Sequence, residues 1–241
     1  MTFSVGKISH EWSKGSRLQA IYQETIPSTN DLGKELALTS LSQYPISLIL
    51  TDDQTAGRGR GKNSWTNSQP GTSLLSTWVF QLSSPPQPVT TCRTGLAVRN
   101  ALLQTWPWLP LSLKAPNDLY LQTKKLGGLL TETITQGSKQ ALIIGLGINV
   151  WKNPHLEIAD CLKSFVNESC LTEEDWNSFL DRLLLELSLA VSASNDLLSD
   201  RERQSLLLAL NQKPDLDEKY IDISPEGTLK TKSKEIHWFE L

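Results

Sequence analysis

The chain has 241 residues and a formal net charge of −3, and 39% of its residues are hydrophobic and 20% charged. This length suits one medium domain, alone or with a small appendage, and the composition is that of a globular rather than a disordered protein. The negative net charge excludes a global field that would favour nucleic acid, so we expect no nucleic-acid partner.

The distribution of cysteine and apolar residues favours the cytoplasm. The three cysteines have no close-spaced pair typical of a disulfide framework or a zinc site, and no metal-binding motif joins the three histidines. The N-terminal sequence MTFSVGKISHEWSKGS lacks the apolar core of a secretory signal, and no stretch approaches the ~18 apolar residues of a membrane helix. We therefore expect a cytoplasmic protein with no membrane partner and no protein ligands for a metal.

The first third of the chain predicts a capped helix, a strand, a long loop and a second strand. Ser28-Thr29-Asn30-Asp31 supplies capping residues before LGKELAL, whose spacing predicts a helix of about ten residues. The apolar run 46–50 predicts a buried strand, and residues 72–82 predict another. The glycines and polar residues between them predict a loop, and loops of this length are usually functional or disordered.

The rest of the chain predicts helices that alternate with groups of adjacent strands. Residues 90–106 and 171–190 predict helices, the second capped at Thr172. Apolar runs predict four strands between these helices, at 111–114, 119–121, 126–134 and 141–150. The last two of these strands are separated by Gln136-Gly137-Ser138, which is typical of a hairpin turn.

A change in sequence after about Leu210 predicts a few short strands that form a small β appendage. We predict a main domain at 1–205 and a small C-terminal β domain at 206–241. The predicted class is α+β, with a mixed or antiparallel sheet backed by helices.

The segment Ala56-Gly57-Arg58-Gly59-Arg60-Gly61-Lys62 carries the strongest chemical signal. Its glycines let the backbone approach a ligand closely, and its arginines provide planar groups that suit carboxylate and phosphate. The segment predicts an anion-binding loop, with a solvated basic turn as the alternative. It is not a P-loop, because Ala56 stands at the first glycine position and Asn63 follows Lys62 where Ser or Thr is required.

Three further places combine polar groups with glycine or proline beside an apolar strand, at residues 114–118, 124–130 and 145–149. Glycine within a strand often marks a bulge or the close approach of a ligand. A lysine at a strand start is usually only solvated. Three such places in one chain predict a ligand that lies across a sheet.

The ordered set of these motifs resembles the catalytic domain of biotin–protein ligases. The resemblance covers about residues 25–150 and rests on Ser28-Thr29-Asn30, QTAGRGR from Gln54, Trp65, Lys114 with Pro116-Asn117-Asp118, KLGG from Lys125, and Gly147-Ile148-Asn149. It implies a class II synthetase-like mixed sheet followed by a small SH3-like β domain, which is shortened here. It also implies that biotin is activated with ATP to biotinyl-5'-AMP and passed to a lysine of a biotin carboxyl carrier domain, as in acetyl-CoA carboxylase.

The resemblance also assigns residues to ligands. Lys125 and Arg60 would be the catalytic cations, with magnesium on the phosphates. The biotin site would comprise Ser28, Thr29, Asn30, Gln54, Gly57, Arg58, Gly59, Arg60, Lys125, Gly128 and Gly145. The ATP site would comprise Arg58, Arg60, Trp65, Lys114, Asn117, Asp118, Lys125 and Asn149.

Purely structural roles for these residues remain open, since Ser28 and Thr29 also suit helix capping, and Trp65 also suits a hydrophobic core. A lipoate or octanoate ligase of the same fold is one alternative, although its signature Arg-Arg-x-Ser-Gly-Gly-Gly is not present. A non-catalytic regulator that binds biotin or a nucleotide is the other. The catalytic cations Arg60 and Lys125 argue against the regulator, because binding alone does not require both at the phosphate.

The sequence departs from the family pattern at two positions and in its C-terminal domain. Ala115 stands where the family usually has Trp, and Asn63 near where an arginine is common. These departures leave open slow turnover or completion of the site by a second subunit. We expect a mobile loop at 57–65 and no helix-turn-helix before Ser28, and strand 72–82 is a candidate edge for a homodimer.

Overall fold

The computed structural model describes residues 2–16, 18–39, 44–137, 139–154 and 156–241, so that Ser138 and His155 lie outside the described residues. The main helices are α1 (Val5–Ser13), α2 (Thr29–Thr39), α3 (Thr90–Thr105), α4 (Glu173–Ser192) and α5 (Asp200–Asn211). The strands are β1 (Gln19–Ile26), β2 (Ile46–Gln54), β3 (Ser73–Leu82), β4 (Leu111–Lys114), β5 (Asp118–Leu121), β6 (Lys124–Gln136), β7 (Lys139–Asn149), β8 (Asp222–Ile223), β9 (Thr228–Lys230) and β10 (Glu235–His237).

Seven of these strands form one mixed sheet in the order β1-β2-β3-β7-β6-β5-β4. β1 runs parallel to β2, and every other neighbouring pair is antiparallel. The predicted α+β class is therefore confirmed. The predicted hairpin is also confirmed, because Gln136 pairs with Lys139, and Gly137 has the positive φ of 60° that a tight turn favours.

Helices cover both faces of the sheet, and each face has its own apolar cluster. On one face α1, α3 and α4 bury alternate strand residues such as Leu48, Trp78 and Ile144. On the other face α2 covers a smaller cluster that includes Ile49, Val79 and Ile143. Helix α2 covers part of this second face, and the rest of that face is available for a site.

Strand β3 lies in the middle of the sheet between β2 and β7. The prediction that residues 72–82 form an exposed edge for a dimer is therefore wrong, because both sides of the strand are already paired. The edges of the sheet are β1 and β4. β3 was mistaken for an edge because its apolar run identifies a strand but not its neighbours.

The small C-terminal sheet is confirmed, with the order β10-β9-β8. Its Leu229 and the following Trp238 belong to the same apolar cluster as the main sheet, together with Leu206 of α5. The predicted boundary between residues 205 and 206 falls inside α5. The division into two domains stays a prediction, since the hydrophobic core is continuous across it.

Candidate active site

A pocket opens on the α2 face of the sheet, just beyond the N-terminal end of that helix. Along β7 the residues that face α2 alternate, and Ala141 and Ile143 are buried beneath it. The next two residues on this face are Gly145 and Gly147, which line the pocket. The loss of two successive side chains from one face leaves a concave floor, which follows from the alternation of side chains along a strand.

The start of α2 forms one end of the pocket. Gln54 Oε1, at the end of β2, accepts hydrogen bonds from the Thr29 amide at 2.8 Å and the Thr29 hydroxyl at 3.1 Å. Thr29 and the neighbouring Ser28 are buried and line the cavity. This end of the pocket presents uncharged hydrogen-bonding groups, and the Gln54 amide nitrogen remains available as a donor.

Asn30 lies directly above Gly145, where a Cβ atom would collide with the Asn30 amide group. Its Oδ1 accepts a hydrogen bond from the Thr77 hydroxyl at 2.6 Å, and its Nδ2 donates to Glu132 Oε2 at 3.0 Å. These two partners fix which end of the amide is the oxygen. Glycine is therefore required at position 145 by Asn30 itself.

The opposite end of the pocket is built by β5 and β6. Lys125 Nζ lies 2.7 Å from Asp118 Oδ1, and a Cβ at Gly128 would lie about 3.1 to 3.3 Å from both groups. Asn117 is held in place because its Nδ2 donates to the Leu129 carbonyl at 2.5 Å. The absence of a side chain at Gly128 leaves this ion pair open to a ligand.

The glycine-rich segment folds into a tight turn over the pocket. Arg58 and Ser64 form a β-bridge, and the Gly59 amide donates to the Asn63 carbonyl at 2.8 Å. Gly61 at the tip has a φ of 66°, a conformation that favours glycine. The sequence therefore predicted a loop here, and the structure gives that loop a hairpin-like turn.

Trp65 closes the turn against the floor of the pocket. Its amide donates to the Gly57 carbonyl at 2.9 Å, and a Cβ at Gly147 would lie 2.6 Å from its indole ring. The indole Nε1 is buried without a hydrogen-bond partner. A buried donor of this kind costs free energy, so a ligand acceptor at this point would be favourable.

The two arginines of the turn have different partners. Arg58 Nη2 lies 2.7 Å from Asp31 Oδ1 and 3.2 Å from Glu132 Oε2. Arg60 donates to the backbone oxygens of Phe239 and Leu241. One arginine is thus held by side-chain carboxylates and the other by backbone oxygens near the C-terminus.

Residues 237–241, which we call the C-terminal segment, are anchored beside the site. Trp238 is fully buried, and its Nε1 donates to the Pro116 carbonyl at 2.7 Å. Pro116 follows a cis peptide bond from Ala115, the position where the sequence departs from its family. The segment therefore joins the turn at Asn117 to the loop at Arg60.

Most of the predicted site residues line this one cavity. They are Ser28, Thr29, Asn30, Gln54, Arg58, Gly59, Arg60, Trp65, Asn117, Asp118, Lys125, Gly128 and Gly145. Three predicted residues do not line it, namely Gly57, Lys114 and Asn149. The Gly57 carbonyl instead accepts a hydrogen bond from the Trp65 amide.

Lys114 lies farther along the same sheet edge, with its Nζ 5.7 Å from the centre of the Tyr120 ring. Asn149 is buried and donates to the Asp160 carbonyl at 3.1 Å, and its Oδ1 has no hydrogen-bond partner. An unpaired buried acceptor next to the cavity is a place where a ligand amino group would be favourable.

Three features of the site were not predicted from the sequence, namely Glu132, the contact of Trp65 with Gly147, and Trp238. Glu132 follows the pocket on β6 and pairs with Lys34 Nζ at 2.5 Å. Burial raises its pKa, but hydrogen bonds from Lys34 and Asn30 outweigh burial and hold that pKa below its usual value. The alternation on β6 was the available signal, since it places Glu132 on the same face as Leu130.

Three cations and a single carboxylate, Asp118, line the cavity in the part of the chain that the structure describes. The site therefore attracts an anion even though the whole protein is negative. Among the described residues there is no group of three or more His, Cys, Asp or Glu that would hold a metal ion, and no helix is long and apolar enough to cross a bilayer.

Comparison with known proteins agrees with this geometry. The model of the Biotin/lipoate A/B protein ligase family matches residues 22–149, more than half of the chain. The chain is 34% identical to the bifunctional ligase/repressor BirA of Bacillus spizizenii over 54% of its own length and 40% of that protein. It is 28% identical to a biotin–[acetyl-CoA-carboxylase] ligase of Mycobacterium tuberculosis, over 80% of its own length and 74% of that protein.

The fold also matches the biotin protein ligase of Aquifex aeolicus, solved in complex with biotin and ATP. The TM-score is 0.64 at 24% identity, over 90% of this chain and 95% of that one. The chain spans about 40% of the length of the bifunctional BirA relatives that it matches. From the family match, this chain belongs to the Biotin/lipoate A/B protein ligase family.

Proposed function

We propose that this protein activates biotin with ATP to biotinyl-5'-AMP and transfers the biotinyl group to a lysine of a carrier domain. The observation that carries the proposal is the polarity of the pocket. One end has uncharged hydrogen-bonding groups at Thr29 and Gln54, and the other end has the cation Lys125. Biotin has the matching shape, with an uncharged ureido ring at one end and a carboxylate at the other.

The ureido ring is recognised by the start of α2. Ser28, Thr29 and Gln54 provide hydroxyl and amide groups that both donate and accept, as a ureido carbonyl and its N–H groups require. Asn30 is held above Gly145 and closes the floor beneath the ring. Groups that are already fixed in this way lower the cost of ordering on binding.

The reaction joins the biotin carboxylate to the α-phosphorus of ATP and releases diphosphate. Two anions repel each other, and the transition state gathers further charge on the phosphoryl oxygens. Lys125 lies where it would neutralise both the carboxylate and the α-phosphate, and Arg60 would reach the phosphate from the loop. Loss of one such cation typically lowers the rate about 100- to 1,000-fold.

The residues of the pocket suit Mg²⁺ only when the phosphates of a bound nucleotide supply the other ligands. Asp118 is the single carboxylate of the cavity lining, and Mg²⁺ is usually held by one or two carboxylates together with substrate phosphates. Asp118, with the Asn117 side-chain oxygen, would hold the ion against those phosphates. The metal would neutralise phosphate charge, while Lys125 and Arg60 orient the reacting groups.

The adenine ring would lie near Trp65 and Asn149. The buried Asn149 Oδ1 lacks a partner and would accept a hydrogen bond from the adenine amino group. The free indole N–H of Trp65 would donate to a second ring or sugar atom. The loop at 57–65 would then shield the adenylate from water.

The transfer step requires no side-chain nucleophile. The amine of the acceptor lysine attacks the biotinyl carbonyl, an amide bond forms, and AMP leaves with the electron pair of the broken C–O bond. We propose the biotin carboxyl carrier domain of acetyl-CoA carboxylase as the acceptor, which the name of the Mycobacterium tuberculosis relative supports. A cytoplasmic location agrees with three free cysteines and a need for ATP.

A lipoate ligase is the second candidate within the family, whose model covers both activities. The dithiolane ring of lipoate has no N–H or carbonyl to pair with Thr29 and Gln54. The Gln54 amide nitrogen, which the Thr29–Gln54 pair does not use, would gain no acceptor from this ring, and the lost hydrogen bond favours biotin as the substrate. A homodimer remains part of the proposal, with the edge strands β1 and β4 as candidates in place of β3.

The test mixes the protein with ATP, Mg²⁺, biotin and a purified biotin carrier domain, and intact mass reports the carrier. A gain that matches one biotinyl group is expected. Lys125→Met should lower its rate about 100-fold or more. Lys124→Met is the matched control, since this neighbouring lysine is exposed and lies outside the cavity, and it should retain the wild-type rate.

Lipoate replaces biotin in a parallel reaction. A mass gain with lipoate but not biotin would assign the protein to the second candidate. Tight biotin binding without any gain, in the presence of active carrier, would contradict the ligase and favour a non-catalytic regulator.

A further inference from the structure

The carboxylate of Glu132 lies beside the pocket and contacts three side chains, two on α2 and one on the loop. Its Oε1 lies 2.5 Å from Lys34 Nζ on α2. Its Oε2 accepts from Asn30 Nδ2 at 3.0 Å and from Arg58 Nη2 at 3.2 Å. A single side chain on β6 thus joins the floor of the pocket to the loop that covers it.

Asn30 depends on Glu132 for its orientation. The Asn30 Oδ1 is already used by the Thr77 hydroxyl, so its Nδ2 must find an acceptor on the opposite side. Among the described residues, that nitrogen has two oxygen acceptors, Glu132 Oε2 and, at 3.4 Å, the Leu130 carbonyl. The carboxylate is the nearer and the stronger acceptor because it is charged.

Arg58 depends on the same oxygen for its place above the pocket. Its other carboxylate partner, Asp31, is half-exposed, whereas only 26% of the Glu132 side chain is exposed to solvent. Ion pairs that are shielded from water are screened less than exposed ones. Asp31 is the nearer partner, at 2.7 Å against 3.2 Å, but Glu132 is the attachment that is better shielded from water.

We propose that Glu132 is a positioning residue that sets the biotin end of the site by fixing Asn30 and Arg58 together. This assignment to biotin rests on the proposed function, whereas the attachment of the loop rests on the contacts alone. The role requires a carboxylate, because all three neighbours are donors. An amide at position 132 would turn one of its two acceptors into a donor that faces another donor.

The test compares Glu132→Gln with Lys34→Gln. The Lys34 side chain pairs with Glu132 and does not line the cavity, so its variant removes one ion pair and leaves the contacts of Glu132 with Asn30 and Arg58. The first readout is tryptic cleavage after Arg58, Arg60 and Lys62 in the protein without ligand, followed by mass spectrometry. Cleavage in Glu132→Gln should be about fivefold faster than in wild type, because one charged contact is lost.

The second readout separates KM from kcat in the carrier assay. Glu132→Gln should raise KM for biotin about five- to tenfold and leave KM for ATP within about twofold. Lys34→Gln should match wild type within about twofold in both readouts. Equal thermal midpoints of the two variants establish that any difference is local.

Equal cleavage rates and equal KM values in the two variants would overturn the proposal. A rise in both KM values with an unchanged loop would also overturn it, since that result indicates a general loss of structure. If wild type makes no biotinyl-AMP, the proposed function fails, while the proteolysis result still decides whether Glu132 holds the loop.

Discussion

Arg58 and Arg60 lie two residues apart on one loop, yet they are held by different kinds of partner. Arg58 is paired with the side-chain carboxylates of Asp31 and Glu132, whereas Arg60 donates to backbone oxygens of the C-terminal segment, at Phe239 and Leu241. An incoming phosphate that draws Arg58 away breaks ion pairs with two carboxylates, whereas drawing Arg60 away breaks hydrogen bonds to backbone oxygens. The contacts therefore favour Arg60 as the cation that moves to the phosphate, and Arg58 as the attachment of the loop.

The largest expected effect is a loss of stability when Trp238 is replaced, because Trp238 anchors the C-terminal segment that holds Arg60. Trp238 is fully buried, and Trp238→Ala should lower the free energy of unfolding by about 3 to 5 kcal/mol, because a large cavity replaces the indole. Urea denaturation measures this loss. Trp108→Ala is the control, since 57% of Trp108 is exposed, and a similar loss in both variants would contradict the role of Trp238 as an anchor.

Replacing each arginine with methionine distinguishes the role of Arg58 from that of Arg60. Arg60→Met should lower kcat about 100- to 1,000-fold, equivalent to about 3 to 4 kcal/mol of transition-state stabilisation. Arg58→Met should act mainly through KM for biotin, by about tenfold, because it releases the loop. Single-turnover formation of biotinyl-AMP measures both. A larger loss of kcat in Arg58→Met than in Arg60→Met would show that Arg58, and not Arg60, is the cation at the phosphate.

The smallest expected effect is a pH dependence of the free energy of unfolding that arises from Glu132, a partner of Arg58. The folded-state pKa of Glu132 is below the usual value of 4.5, since the hydrogen bonds from Lys34 and Asn30 outweigh the opposing effect of burial. As the pH falls below about 4.5, the unfolded chain takes up a proton that the folded protein resists, so the contribution of Glu132 to stability is lost. The stability difference between wild type and Glu132→Gln should therefore shrink between pH 6 and pH 3.

Screening by water keeps this contribution below about 1 kcal/mol, so urea titrations at closely spaced pH values are needed. A difference that stays constant over that range would show that Glu132 does not titrate with a lowered pKa.

Much of the fold and site followed from local patterns. The capping residues before α2, the apolar runs of β4 to β7 and the glycines of the loop were sufficient to predict those elements. α1, β1 and α5 were not predicted. β1 is largely polar and lies at the edge of the sheet, so it lacks the apolar alternation that identifies a half-buried strand.

The missed site residues depend on distant partners. Glu132 lies in TETIT, which is typical of the solvent side of a strand, and its contact with Asn30 spans 102 positions of the chain. The bond between Arg60 and Phe239 spans 179 positions. Such pairs are set by the tertiary fold, and no spacing rule within one sequence window identifies them.

The contact between Arg60 and the C-terminal segment has a consequence for how the protein matures on the ribosome. Synthesis proceeds from the N-terminus, so every residue that lines the cavity, from Ser28 to Gly147, emerges before Trp238 and Phe239. A nascent chain therefore carries a complete cavity lining while Arg60 has not yet met its backbone partners. The docking of Trp238 on Pro116 can therefore occur only after the cavity lining has been synthesised, and with it the loop acquires its resting position.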